Sequence, residues 1–119
     1  MNVDRGDVIL VSYPFASGMG SKVRPAVVIQ CNRNNVRLDN TIIAQLTSRT
    51  RYAKTEPTQL LIEAVSPAGQ QAGPLIDSAL SCENLYTVRQ DAIVRKIGTL
   101  PGSLMHQVAA CLKASLDLT

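Results

Sequence analysis

The stretch Val23-Arg24-Pro25-Ala26-Val27-Val28-Ile29-Gln30 decides how this chain is read. Ala26 to Gln30 reads as a core strand, built on the β-branched run Val27-Val28-Ile29. A proline is tolerated at the first residue of a strand, where its missing N–H costs least. Pro25 also biases Arg24 towards extended backbone. The arginine is therefore expected on a stiff hinge between a loop and a core strand. Upstream, Ala16 to Lys22 is a small-residue loop able to take up positive φ. Before it, Asp7 to Tyr13 reads as a first strand whose near-continuous apolar character implies cover on both faces. Downstream, Cys31 to Asn40 reads as a polar turn region.

Thr41-Ile42-Ile43-Ala44-Gln45-Leu46-Thr47 reads as a third strand. Period-two alternation puts Ile42, Ala44 and Leu46 on one face, expected to be core. Thr41, Ile43, Gln45 and Thr47 share the other, more polar face, so Thr47 is expected to be accessible. Ser48 to Pro57 is a basic loop, and Gln59 to Glu63 a fourth strand. Pro67 to Pro74 reads as a connection. Ser78 to Glu83 and Thr87 to Gln90 read as short strands or one broken strand, and Asp91 to Gly98 as a turn leading into a strand. After Pro101-Gly102, Ser103 is the expected N-cap of a helix. Leu104, Val108, Cys111, Leu112 and Leu116 follow helical spacing along one stripe. The expectation is a single domain over residues 1–119, mainly β, forming a small SH3-like barrel capped by a C-terminal helix.

Charge is unevenly spread. Seven of the twelve Lys and Arg residues lie between Lys22 and Lys54, against one acid, Asp39. That window carries +6 while the whole chain carries +3, so it marks a surface suited to phosphate. The three cysteines, Cys31, Cys82 and Cys111, are widely separated and lack CxxC spacing, which argues against zinc. They read as small buried hydrophobes. The nine acids are scattered and there is one histidine, His106, so no ligand cluster for a catalytic metal is evident and no cofactor is expected. No apolar run is long enough to span a bilayer, and the start lacks the features of a signal peptide; the expected location is cytoplasmic.

Arg5-Gly6-Asp7-Val8 before an apolar strand, a Gly/Ser loop, and Val23-Arg24-Pro25 before aliphatics together resemble the MazF/PemK toxin family. Ala44-Gln45-Leu46-Thr47-Ser48 is similar to that family's strand ending in a functional threonine. Asp77-Ser78, Glu83-Asn84-Leu85 with Thr87-Val88, and Ile97-Gly98 through Leu100 resemble its later blocks. The resemblance implies a plasmid-toxin barrel, a homodimer, and a metal-free endoribonuclease that cuts single-stranded RNA at short sequences. It also implies cleavage by 2′-hydroxyl attack, and a cognate antitoxin whose flexible segment covers the RNA groove.

With the resemblance, Arg24 and Thr47 become the expected catalytic pair. A guanidinium donates two hydrogen bonds to phosphate oxygens and stays protonated, so it stabilises charge and cannot act as a base. Thr47 can donate its hydroxyl to a phosphate oxygen or orient the 2′-hydroxyl; read from spacing alone, it is more simply a strand-end threonine of good β-propensity, and only the resemblance gives it a role. Lys22, Arg49, Arg51 and Lys54 are expected backbone contacts. Tyr52 is either a base-stacking ring or a loop anchor, and Ser17 and Ser21 are either RNA contacts or solubilising loop residues. Some members of that family carry an acid in the loop before the Arg-Pro motif, whereas Ala16 to Lys22 of this chain has none, which leaves Asp77 and Glu83 as the acids considered for acid–base work. Two other readings compete. A gyrase poison of the CcdB type shares the fold but uses a Trp-Gly-Ile ending, and this chain has no Trp. The other is a non-catalytic RNA- or peptide-binding barrel.

Overall fold

The computed structural model of the chain describes residues 2–14, 21–73 and 76–118; of Tyr13, Pro14 and Ser21 only the backbone is described. Among the described residues six strands form one antiparallel sheet: β1 (Asp7–Pro14), β2 (Ser21–Val28), β3 (Asn40–Thr47), β4 (Gln59–Ile62), β5 (Ser78–Arg89) and β6 (Ile93–Thr99). Their order is β4-β5-β3-β2-β1-β6. Three helices among the described residues accompany them: α1 (Asn32–Arg37), α2 (Pro67–Ala72) and α3 (Gly102–Leu116). A short 3₁₀ turn, Gln90–Ala92, leads into β6.

The barrel expected from the pattern is an open sheet: β4 and β6 are its two edges and are not paired with each other. The helix α2 spans the interval instead. Its N-terminus is fixed by Pro67 in the first turn and by Ser66, whose hydroxyl accepts from the Gly69 N–H at 2.9 Å. Its C-terminus meets β6 so closely that a Cβ on Gly98 would stand 2.2 Å from the Ala72 carbonyl oxygen. Gly73, at φ +96°, ends the helix, and a Cβ there would stand 2.4 Å from the Ile97 carbonyl oxygen. Only glycine permits this approach of backbone to backbone.

Both faces of the sheet are buried, which corrects the reading of β3. One core contains Val8, Val27, Ala44, Leu46, Leu60, Leu80 and Val108. The other contains Ile9, Val11, Ala26, Val28, Ile43 and Ile93. Ile43 and Thr41 are fully buried on the face expected to be polar, while Ile42, expected in the core, is 37% exposed. Alternation separates the two faces of a strand but does not say which is covered when both are.

Other boundaries shift. β2 begins at Ser21, so Arg24 lies inside a strand, paired with Val11, and not on a hinge before one. The supposed polar turn after Cys31 contains α1, and the supposed connection after Pro67 contains α2. Cys31 is exposed, contrary to expectation, while Cys82 and Cys111 are buried. Helix α3 starts at Gly102 after Pro101, placing Ser103 in its first turn and not at the cap. Leu104, Val108, Cys111 and Leu112 pack on the first core as expected, but Leu116 is largely exposed in the last turn. Among the described residues no helix is long and apolar enough to cross a membrane.

Candidate functional site

The site begins where two strands part. β2 pairs with β1 from Ser21 to Val27, but with β3 only through Ala26↔Gln45, Val27↔Ala44 and Val28↔Ile43. Beyond Ala26 a notch opens between β2 and β3. Pro25 stands at the parting point, paired with Leu10 on the β1 side, where the β3 ladder has already ended. A residue without an N–H is tolerated there. Carrying the β2–β3 register two residues further sets Arg24 opposite Thr47.

The notch widens into two adjoining lobes, of about 830 and 730 Å³. Arg24, Thr47 and Arg49 line both. The first lobe has an apolar floor of Leu10, Pro25, Leu46 and Ile97, with Arg95 and Lys96 on its β6 side. No acid lines it. Lys96 is partly neutralised: its Nζ lies 3.0 Å from the buried Asp7 carboxylate. Arg24 and Arg95 are exposed and make no ion pair with a described residue.

The second lobe is polar. Its floor is one rung of the sheet, Gln45 on β3 paired with Ser81 on β5, paired in turn with Gln59 on β4. Residues facing each other across strands share a face. Glu83 and Asn84 lie at the bulge of β5, where the register against β3 slips between Ala44 and Gln45. Glu83 accepts from Gln59 Nε2 at 2.6 Å, and Asn84 Nδ2 donates to the Ser81 hydroxyl at 3.1 Å. Tyr52 closes the lobe. The Arg51 guanidinium sits 5.3 Å from the centre of its ring, and the residue remains 54% exposed.

Thr47 Oγ1 accepts the Arg49 N–H at 3.2 Å. That contact turns a lone pair inward and leaves the hydroxyl proton available to a ligand. The arrangement can therefore place one fixed cation and one hydroxyl donor around a single anionic group, with further cations on either side.

The structure thus brings together Arg24, Thr47, Arg49, Arg51, Tyr52 and Glu83 from the expected set. It does not bring in the rest. Lys22 is exposed on β2 outside both lobes, and Lys54 lines a separate depression with Glu56 and Cys111. Asp77 lies outside both linings and accepts the Ala64 N–H at 2.9 Å, tying the α2 segment to the start of β5. Ser17 falls outside the described residues, and the side chain of Ser21 is not described. Sequence reading passed over Gln45, Gln59, Ser81, Asn84 and Arg95. Their meaning comes from the strand register, which joins residues far apart in the chain, such as Gln45 with Ser81 and Leu10 with Arg95. Among the described residues no three His, Cys, Asp or Glu side chains form a group able to hold a metal.

The open antiparallel sheet with its C-terminal helix agrees with the fold that the family resemblance implies. The chain belongs to the family of PemK-like, MazF-like toxins of type II toxin-antitoxin systems, whose model matches residues 4–116. It is 31% identical over 119 residues to endoribonuclease EndoA of Bacillus subtilis, covering 99% of this chain and 97% of that protein. It is 28% identical over 118 residues to endoribonuclease MazF9 of Mycobacterium tuberculosis, covering 96% of each. Its fold matches a mycobacterial endoribonuclease solved in complex with its cognate antitoxin, with a TM-score of 0.77, 19% identity, and coverage of 98% and 97%. It also matches MazF in the MazE–MazF complex of Deinococcus radiodurans, with a TM-score of 0.74, 16% identity, and coverage of 100% and 99%.

Proposed function

We propose that this MazF-family endoribonuclease toxin cuts single-stranded RNA within short sequences, by attack of a 2′-hydroxyl on the adjacent phosphate. The observation that carries the reading is the placement of Arg24 and Thr47 across one notch, with cations flanking them and a polar rung beneath. In this reaction the O2′–P bond forms and the P–O5′ bond breaks, with the 2′ proton lost and a proton gained by the leaving oxygen. The products are a 2′,3′-cyclic phosphate and a 5′-hydroxyl. Negative charge grows on the non-bridging oxygens as the phosphorus becomes five-coordinate. The Arg24 fork meets that charge, and the Thr47 hydroxyl donates to the same group. Positioning of the nucleophile in line with the leaving oxygen supplies much of the remaining acceleration. The scattered acids and single histidine of the sequence support a mechanism without a metal.

The partner reading rests on charge and on the neighbours. Two of the matched structures are toxin–antitoxin complexes. A cationic notch that attracts phosphates also attracts Asp and Glu side chains. We therefore assign the same notch to an acidic, flexible segment of a cognate antitoxin, which orders on binding. A homodimer, covering part of the open sheet and joining two notches into one groove, completes the proposal.

The decisive test uses purified chain and end-labelled RNA in excess EDTA. Cleavage is expected, with cyclic phosphate ends. A substrate carrying 2′-deoxy at the scissile nucleotide is expected to bind and stay intact. Cutting of that substrate, or activity that disappears in EDTA and returns with magnesium, overturns the mechanism.

A further inference from the structure

We infer that Arg95 holds the backbone phosphate next to the scissile one, so that the RNA leaves the Arg24–Thr47 notch across β1 towards β6 and the cut site needs a charged linkage on that flank. The inference rests on the proposed function and deepens it: it gives the path of the strand through the first lobe and one further residue that binds it.

Strand register sets the geometry. Pro25 on β2 pairs with Leu10 on β1, and Leu10 pairs with Arg95 on β6. Neighbouring strands lie about 4.8 Å apart, so the Pro25 and Arg95 backbones stand about 10 Å from each other. Arg24 is the residue beside Pro25, and Arg24 and Arg95 line the same lobe. The floor between them is half-buried Leu10 and Pro25, which offer no polar side chain. Two cations separated by an apolar strip fit a chain whose charges alternate with sugars. A phosphate sits at each arginine, and the connecting ribose lies with its carbon face over the strip.

Charge separates Arg95 from its neighbour on β6. Lys96 is engaged by the buried Asp7 carboxylate at 3.0 Å, whereas Arg95 is exposed and makes no ion pair with a described residue. None of the described residues lining this lobe is an acid. The Arg95 fork is therefore uncommitted and can close on two phosphate oxygens. The scissile phosphate is already served from β2 and β3, by Arg24 and the Thr47 hydroxyl. That leaves the next phosphate along the strand as the anion for Arg95. A charged residue on an edge strand can also serve only to keep that edge unpaired. Such a role would be blind to the charge of any one RNA linkage.

The test sets Arg95→Gln against the wild type on short substrates in which one linkage at a time is a neutral methylphosphonate. In all-phosphate RNA, Arg95→Gln should raise KM about tenfold, the scale of a charge-assisted contact, and change the single-turnover rate at saturation by less than about twofold. It should also flatten the dependence of log KM on log salt by about 0.7, the share of one phosphate contact on a single strand. Arg95→Lys should keep that slope and recover part of the affinity. Arg33→Gln, which removes the same charge from α1 outside both lobes, should leave the slope as it is. At the linkage adjoining the cut on one side, methylphosphonate should raise the wild-type KM about tenfold and that of Arg95→Gln hardly at all. At linkages beyond it the two proteins should respond alike. Arg95 is exposed, so both of its variants should keep the wild-type melting temperature. Equal losses in the two proteins at every linkage, or a fall in the saturated rate as large as that of Arg24→Ala, overturns the inference. A wild-type chain that cuts no RNA refutes the proposed function, and the inference with it.

Discussion

Arg24 and Thr47 face each other across a gap that the sheet itself creates: β2 and β3 stop pairing at Ala26↔Gln45, and the next residues on the same side are these two. Each is held by a strand that stays hydrogen-bonded on its other side, β2 to β1 and β3 to β5. The pair is thus positioned by backbone ladders.

Arg24→Ala is expected to lower the cleavage rate by ~10²-fold or more, the usual cost of removing one charge-stabilising donor. Because Arg24 is exposed and pairs with no described carboxylate, stability should change by less than about 0.5 kcal/mol. Arg24→Lys should rescue only in part, since a point charge cannot reproduce the planar fork. Single-turnover rates beside thermal melts check this, and full activity in Arg24→Ala removes the residue from the site.

Thr47→Ser should retain most activity, because the hydroxyl can still accept from the Arg49 N–H and donate outward. Thr47→Ala should lose ~10²-fold, with substrate affinity much less affected. Rates and affinities for a 2′-deoxy substrate separate the two effects. Equal losses in Ser and Ala would show that the methyl group, and not the hydroxyl, matters.

An acidic peptide from the cognate antitoxin should compete with RNA, and both should bind less tightly as salt rises. A titration of peptide against labelled, non-cleavable RNA at several salt concentrations measures this. Simultaneous, independent binding places the two ligands on different surfaces.

Gly98→Ala should destabilise the fold by about 1–3 kcal/mol. The added Cβ would stand 2.2 Å from the Ala72 carbonyl oxygen, and the obstacle is backbone, which cannot swing aside. Activity should fall with it, because Gly73 and Ile97 at this junction line the first lobe. Urea unfolding of the variant decides the matter; wild-type stability would mean that α2 is free to move off β6.

The thiols give a pH signature. Burial, and next the neighbouring Cys111, push the Cys82 thiol from 9.0 up to about 12, and burial also raises Cys111. The unfolded chain loses these protons near 9.0 while the folded chain keeps that of Cys82 to about 12. In that window the unfolded state binds fewer protons, so stability is intact below the lower value and declines as pH rises through it. The urea midpoint should drop between pH 8 and 10.5, and drop less in a Cys82→Ala/Cys111→Ala variant. At neutral pH a thiol reagent should modify exposed Cys31 quickly and the other two only on unfolding.

The strands and the terminal helix were legible because each leaves a local trace, β-branched runs and a helical stripe, whereas Arg24 and Thr47 came together as candidates only through the family resemblance. The helices α1 and α2 were not legible, since six residues are too few for an amphipathic repeat. For α2 a signal did exist: Ser66 before Pro67 and Gly73 after Ala72 are the punctuation of a short helix. The inversion of Ile42 and Ile43 came from expecting one buried face where both are covered. The polar rung of Gln45, Ser81 and Gln59 needs the register, and the register depends on the bulge in β5, which nothing in the local sequence announces.

The parting of β2 from β3 also has a mechanical side. To widen the notch, a ligand would have to peel β2 from β1 or β3 from β5, breaking the backbone ladders that hold each strand on its other side. To narrow it, the two strands would have to resume pairing through Pro25, which has no N–H to offer. The gap therefore behaves as a gauge of fixed width. Whatever chain enters is measured against it, and the work of fitting falls on the guest.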